Sequence, residues 1–415
     1  MRRRAFLAAA GVSLVAGAAR SASGGSPGAP GLASMTRDAQ PISAEERRGR
    51  IGQLQREMAR RGIGALIVEP GSSLDYFTGV QWRRSERTTA AVIPARGGIV
   101  IVTPAFEEPS VRETLAVAGD VRPWEEHESP FARIVGALRD RGVASGPIAF
   151  EATTRLFIVD GVREAGGSAY RVVSGDALVK GLRRIKSPAE LALMQVANDV
   201  TLAALRHVHG QVRLGMTPGE IGALMNSATV ALGGAPEFAL VLLNEASAYP
   251  HGSRQAQSLR EGSVILMDVG CTVHGYQSDI SRTWVMGPPT ARQRKVWETV
   301  KRGQEVALAA ARPGAPVGGI DDAVRAYYEK QGWGPGYRLP GLSHRTGHGI
   351  GLDGHEPPYL VHGDATPLAP GMCFSDEPGI YIPGEFGVRL EDCWRMTEAG
   401  PRLFTPFARS LEDPI

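Results

Sequence analysis

Three cysteines in 415 residues, an odd number, build no complete disulfide framework even in an oxidising compartment. Cys271, Cys373 and Cys393 each lie in an apolar stretch, so they read as buried small hydrophobes rather than catalytic thiols. A long apolar run is also missing. The longest, near the start, spans only about a dozen residues and is too short to cross a bilayer. No sign of charge dominates either. The formal net charge is +3, but residues 1–36 hold four arginines and no acid, leaving 42 basic against 43 acidic groups in the rest. Neither nucleic acid nor an anionic membrane is implied as a partner. What remains is an ordinary soluble composition, 43% apolar and 21% charged, long enough for two domains.

The opening MRRRAFLAAAGVSLVAGAARSA has a basic start, an Ala/Leu/Val middle and small residues suited to cleavage near Ala18 to Ala22. Arg3-Arg4-Ala5-Phe6-Leu7 resembles the twin-arginine export signal. Residues 1–22 are therefore expected to be removed on export to the periplasm, with no stable membrane anchor. Residues 23–42, rich in Gly, Pro, Ala and Ser up to Thr36, are expected to form a flexible leader.

Chemistry concentrates near the other end. In VILMDVGCTVHGYQSDISRTW, a hairpin turning near Val273 and His274 places Asp268 directly opposite Asp279 on one face. Two like charges so close repel unless a cation lies between them. The stretch EPGIYIPGEFGVRLE repeats the device, with Glu377 and Glu391 opposed across a turn at Pro383-Gly384-Glu385. Between them runs SHRTGHGIGLDGHEPP, carrying His344, His348 and His355. One acid alone would read as a solvated surface charge. Four in apolar strands, with an imidazole, make a ligand set for a pair of divalent cations.

Along the chain, Ser43-x-x-Glu46 caps a helix over roughly 44–61. Strands at 65–68, 89–93, 99–102 and 147–150 alternate with helices near 107–117, 130–140 and 154–165, an α/β domain over 43–180. Within it DYFTGVQWRRSER, with Tyr76, Trp82 and Arg83, is a candidate for the substrate cleft or a neighbouring subunit, with a surface loop as the alternative. Ser187-Pro188-Ala189-Glu190 opens a second domain over 185–410. Helices from 218, at 290–311 and at 318–331, with a strand at 238–244, complete an α+β arrangement.

In order, Asp268, Asp279, His348, Glu377 and Glu391 resemble the ligand motifs of the pita-bread metallopeptidases, the family of aminopeptidase P and prolidase. Residues 45–180 resemble the amino-terminal domain of its creatinase branch. The resemblance implies an α/β amino-terminal domain ahead of an α+β pita-bread catalytic domain. It further implies two divalent ions, manganese before cobalt or zinc, and a hydroxide bridging them, in an aminopeptidase that hydrolyses the Xaa-Pro bond at the amino terminus of peptides. Asp268 would bind one metal, Asp279 and Glu391 would bridge both, and His348 and Glu377 would complete the other metal's set of ligands. Glu377 would also act as the base. His251 and His355 would be catalytic, His355 binding the oxyanion, while His251, His344 and Arg389 would face the peptide. For Arg389 the alternative is an ion pair with a ligand carboxylate. A homodimer is expected from family habit. Rival readings are an Xaa-Pro dipeptidase, another amide hydrolase and an inactive binding module on the same fold.

Overall fold

Ala65–Val68, Ala90–Pro94 and Ile99–Pro104 are buried at every position, as strands covered on both faces must be. The computed structural model describes residues 31–415. In it these strands form the middle of a six-stranded sheet, ordered Gly119–Trp124, Ile99–Pro104, Ala90–Pro94, Ala65–Val68, Gly146–Phe150, Tyr170–Ser174. Period-two alternation sorts the side chains. Leu66 and Val68 pack with Leu54 and Met58 of the helix Ala44–Arg60, whereas Ala65 and Ile67 pack with Leu138, Ile158 and Val162 of helices on the opposite face.

The half-exposed edge strand Gly119–Trp124 and the short helix Ser72–Thr78 were not anticipated, because neither carries a full apolar period. That helix changes the place of Tyr76. Its ring lies under the Arg50 guanidinium at 4.0 Å and is buried, so it is core and not cleft. Trp82 and Arg83 follow in a loop and line a cavity shared with Glu237 and Gln277.

The carboxy-terminal half opens with two complete capping boxes, Ser187 with Glu190 and Thr217 with Glu220, which start the helices Pro188–His209 and Pro218–Ala231. These pack on a sheet of Ala235–Leu243, Val264–Val273 and Ile280–Val285. A second helix pair, Ala291–Ala310 and Gly318–Lys330, shares its core with Phe374, Ile380, Val388 and Trp394. The strands of that half form a five-stranded sheet and the two-stranded pair Gly379–Ile382 and Phe386–Arg389.

The expected signal and the first part of the leader lie outside the described residues. Residues 31–42 are docked rather than loose: Leu32, Ala39 and Ile42 join the core cluster of the sheet built on Val264–Val273, and Met35 N–H donates to Leu232 O at 2.8 Å. Composition suggested flexibility there, but these apolar side chains find a groove. No helix among the described residues is long and apolar enough to cross a membrane.

Candidate metal centre

Both acid-bearing hairpins are split, and the acids occupy the splits. In the first, Val264–Val273 pairs with Tyr276–Gln277 and then with Ile280–Val285, leaving Ser278 and Asp279 between the two ladders. In the second, Gly379–Ile382 pairs with Phe386–Arg389, and the same register resumes where Cys373–Asp376 meets Asp392–Thr397. Glu377 and Glu391 fall in the gap. A residue released from the ladder turns its side chain toward whatever the break faces, as bulges do near active sites.

The register of the first hairpin differs from the expectation. Asp268 pairs with Ser281, not Asp279, because the turn is His274-Gly275 and lies one residue later than expected. Both turn residues have positive φ, 49° and 84°, as a two-residue hairpin loop of primed type requires. A turn displaced by one residue shifts the register by two, and an even shift keeps every side chain on its face. Asp268 and Asp279 therefore still converge.

Ligand atoms of Asp268, Asp279 and Glu391 lie within 4.8 Å of one another, as do those of His348, Glu377 and Glu391 and those of Asp279, His348 and His355. His348 Nε2 is 3.3 Å from Glu377 and 3.6 Å from Asp279. Its other nitrogen lies 3.1 Å from Gly349 O, and its backbone N–H donates to Ser375 Oγ, so the ring is aimed from behind. Close strand approach permits this: a Cβ on Gly347 would meet Ser375 O at 2.3 Å. The hairpins are stitched together by Glu391 N–H donating to Ser281 O and by Thr283 Oγ1, which bonds both Arg389 O and Arg389 N–H.

Divalent ions fit this donor set. Asp268 Oδ1, Asp279 Oδ1 and Glu391 Oε1 are buried without a hydrogen-bond partner, an expensive condition unless a cation takes them. Burial, then neighbouring carboxylates, holds Asp279 and Glu391 well above the carboxylate range. Glu377 is pushed up to about 7, first by burial. Burial pushes His348 down to about 3, so it is a neutral imidazole able to ligate.

The remaining predicted residues divide. His355 stacks on His348 with ring centroids 3.7 Å apart, and both line a cavity of about 490 Å³ with His251, His344 and the acids. His344 is half-buried, its Nε2 2.7 Å from Tyr381 OH. Arg389 lines the cavity too, but its guanidinium donates to Ser281 Oγ, Pro250 O, Tyr381 OH and Asp268 Oδ2. The last contact is the ion pair weighed as the alternative. Sequence reasoning missed Ser281, which bonds both Arg389 and Glu391 Oε2 and sits opposite Asp268 in the true register. Tyr381, linking His344 to Arg389, was missed as well. Its position two residues from Gly379 on a buried strand gave no chemical signal. The three cysteines are buried, and burial raises each thiol, Cys373 to about 12, which leaves them unreactive.

The sequence profile of metallopeptidase family M24 matches residues 192–398, and that of the creatinase/prolidase N-terminal domain matches residues 50–185. The chain is 33% identical to an Xaa-Pro dipeptidase of Pyrococcus furiosus over 369 residues, 87% of this chain and 99% of the relative. Its fold is similar to the crystal structure of a dipeptidase PepE from Mycobacterium ulcerans, with a TM-score of 0.80 and 30% identity over 88% of this chain and 97% of that one. An X-Pro aminopeptidase from Thermotoga maritima is similar at a TM-score of 0.77 and 26% identity, covering 87% and 98%.

Proposed function

From the premise that the chain belongs to metallopeptidase family M24, we propose that it hydrolyses the bond between an amino-terminal residue and a following proline. The observation that carries the reading is the set of five side chains converging on one cavity with three buried carboxylate oxygens unpartnered. Two divalent ions held by Asp268, Asp279, His348, Glu377 and Glu391 would polarise the scissile carbonyl and make the attacking water more acidic. Manganese is the first choice for an oxygen-rich set with one imidazole.

The chain's own residues supply the rest. Glu377 lines the cavity beside the other acids and is placed to take the attacking water's proton and return it to the leaving proline nitrogen. His355 is placed to donate a hydrogen bond to the oxyanion. His251 and His344, the latter held from behind by the buried Tyr381 hydroxyl, form walls on which the substrate rests. An Xaa-Pro bond has no N–H for an enzyme to grip, so a site that acts on the carbonyl suits it. Of the two substrate lengths, dipeptides come first, because the Pyrococcus relative is named for them and the cavity is modest. Longer peptides are the second reading, favoured by the likeness to the Thermotoga enzyme.

Release of free alanine from Ala-Pro and Ala-Pro-Ala by manganese-loaded protein tests the proposal. Release that saturates near two equivalents of metal is expected. No release from either peptide with metal bound would overturn it. Export to the periplasm, proposed from the opening residues, is checked by fractionating cells that express the full chain, and a homodimer by light scattering.

A further inference from the structure

Resting on that peptidase reading, we propose that Glu237 and Gln277 form an acceptor end of the catalytic cavity that selects substrates whose first residue is lysine or arginine. Both side chains line that cavity, together with Phe238 and Leu240. Consecutive residues of a regular strand point to opposite faces, so Glu237 and Phe238 would not share a wall. They do because the strand Ala235–Leu243 slips register there. Pro236 pairs with Cys271 and Phe238 with Gly270, which leaves Glu237 as the extra residue of a bulge, re-aimed as bulges near active sites are. Among the described residues the Glu237 carboxylate makes no hydrogen bond and has no Lys, Arg or His nitrogen within 4.0 Å, and it belongs to none of the converging ligand groups. Gln277 is only 6% exposed, yet its Oε1 is buried without a partner. An unpaired carboxylate and an unpartnered amide oxygen on one wall are acceptors waiting for a cation.

Their place in the sheet sets which cation. The bulge lies opposite Gly270 and Cys271, two to three residues past Asp268, about 7–10 Å along the strand. On the far side of that strand Gln277 pairs with Thr272, its N–H fixed to Gly351 O at 2.9 Å. The substrate's α-ammonium stands two bonds from the scissile carbon and stays beside the metal ligands. A lysine or arginine head, carried on its methylene stem, spans the distance. Phe238 and Leu240, each only partly buried on the same wall, receive the stem. Gly270 makes room for this: a Cβ there would meet the Phe238 ring at 2.5 Å. Past Glu237 the wall continues into the cavity lined by Trp82 and Arg83. Arg83 is exposed and has no carboxylate within 4.0 Å, so it leaves Glu237 to the substrate.

Kinetics on Lys-Pro, norleucyl-proline and Glu-Pro decide the matter, using manganese-loaded wild type, Glu237→Gln, Gln277→Leu and Glu237→Lys. Norleucine keeps the stem of lysine without its charge. Wild type is expected to favour Lys-Pro over norleucyl-proline at least about tenfold in kcat/KM, through KM. Glu237→Gln should remove most of that preference and Gln277→Leu part of it, while Glu237→Lys should turn it toward Glu-Pro. Wild type without a preference for Lys-Pro would overturn the proposal. So would an equal loss on Lys-Pro and norleucyl-proline in Glu237→Gln, since the carboxylate would then hold the α-ammonium that both carry. If neither these peptides nor Ala-Pro is cleaved, the peptidase reading fails separately. Calorimetry then compares L-lysine with L-norleucine: tighter lysine binding that is lost in Glu237→Gln supports the acceptor end, and equal binding, or a preference that survives Glu237→Gln, overturns it.

Discussion

The two hairpins carry the same device, a pair of acids opposed across a turn, and the same positional symmetry locates both. It gives the right register for Glu377 and Glu391 and a register wrong by two for Asp268 and Asp279. The difference is in the turns. Pro383-Gly384-Glu385 announces itself, since a proline followed by a glycine at the midpoint of an apolar stretch marks a turn. The first turn is carried by His274-Gly275, and a histidine at φ 49° is not a residue from which a primed turn is inferred. What the comparison teaches is that face and register are separate facts. The face survives a mistake of two, and the metal ligands depend on the face.

The sharpest way to break the equivalence of the hairpins is to remove one acid from each. Glu391 belongs to two of the converging groups, with Asp268 and Asp279 and with His348 and Glu377, whereas Asp268 belongs to one. Glu391→Ala is therefore expected to leave less than one equivalent of metal and to cost at least about 10³-fold in kcat, several kcal/mol of barrier. Asp268→Ala should retain close to one equivalent. Metal analysis after dialysis checks both, and equal retention would show that the hairpins contribute alike.

How much of this was legible follows from the same distinction. The six-stranded sheet's central strands, the helices opened by Ser187 and Thr217, and the four converging acids could be read because each rests on a local pattern: apolar runs, capping boxes, acids in apolar strands; His348 stood out among three histidines only through the family resemblance. The split in each hairpin could not, because Asp279 leaves the ladder only where Ser278 Oγ turns back to bond Cys271 N–H and the Thr201 hydroxyl. That is a contact across 77 positions of sequence. Nor could the spent state of Arg389 be read, which depends on Pro250 O and Ser281 arriving from elsewhere. Residues 31–42 mislead in the opposite sense, since a leader's composition says nothing of a groove that receives it.

The joint between the hairpins is held from behind by Arg282 and Asp392, both fully buried, with Arg282 also donating to Glu391 O. Gln304 Nε2 braces the same place, donating to Asp376 O and Asp392. Arg282→Met leaves the Asp392 charge uncompensated in a dry interior and should cost about 3–5 kcal/mol. Replacing the pair together, with Asp392→Leu, should recover much of that loss. Urea unfolding of the metal-free protein measures both. A single variant as stable as wild type would show that the two hairpins hold together without this brace.

A smaller effect separates the turns themselves. Gly275 and Gly384 have nearly the same backbone, φ 84° and 79°, so alanine at either imposes the same left-handed strain of about 1 kcal/mol. Their surroundings differ. A Cβ on Gly384 meets nothing within 4 Å, whereas one on Gly275 would come within 3.2 Å of Leu352 Cδ2 and 3.5 Å of Asp75 Oδ2. Leu352 packs against the cores of both domains, and its carbonyl accepts from Ser72 Oγ of the amino-terminal one. Gly275→Ala should therefore destabilise more than Gly384→Ala by a few tenths of a kcal/mol or more, the excess being what Leu352 must yield. Equal losses would mean that the first hairpin's tip presses on nothing. The neighbouring domain would then play no part in fixing the turn that sets the register of Asp268.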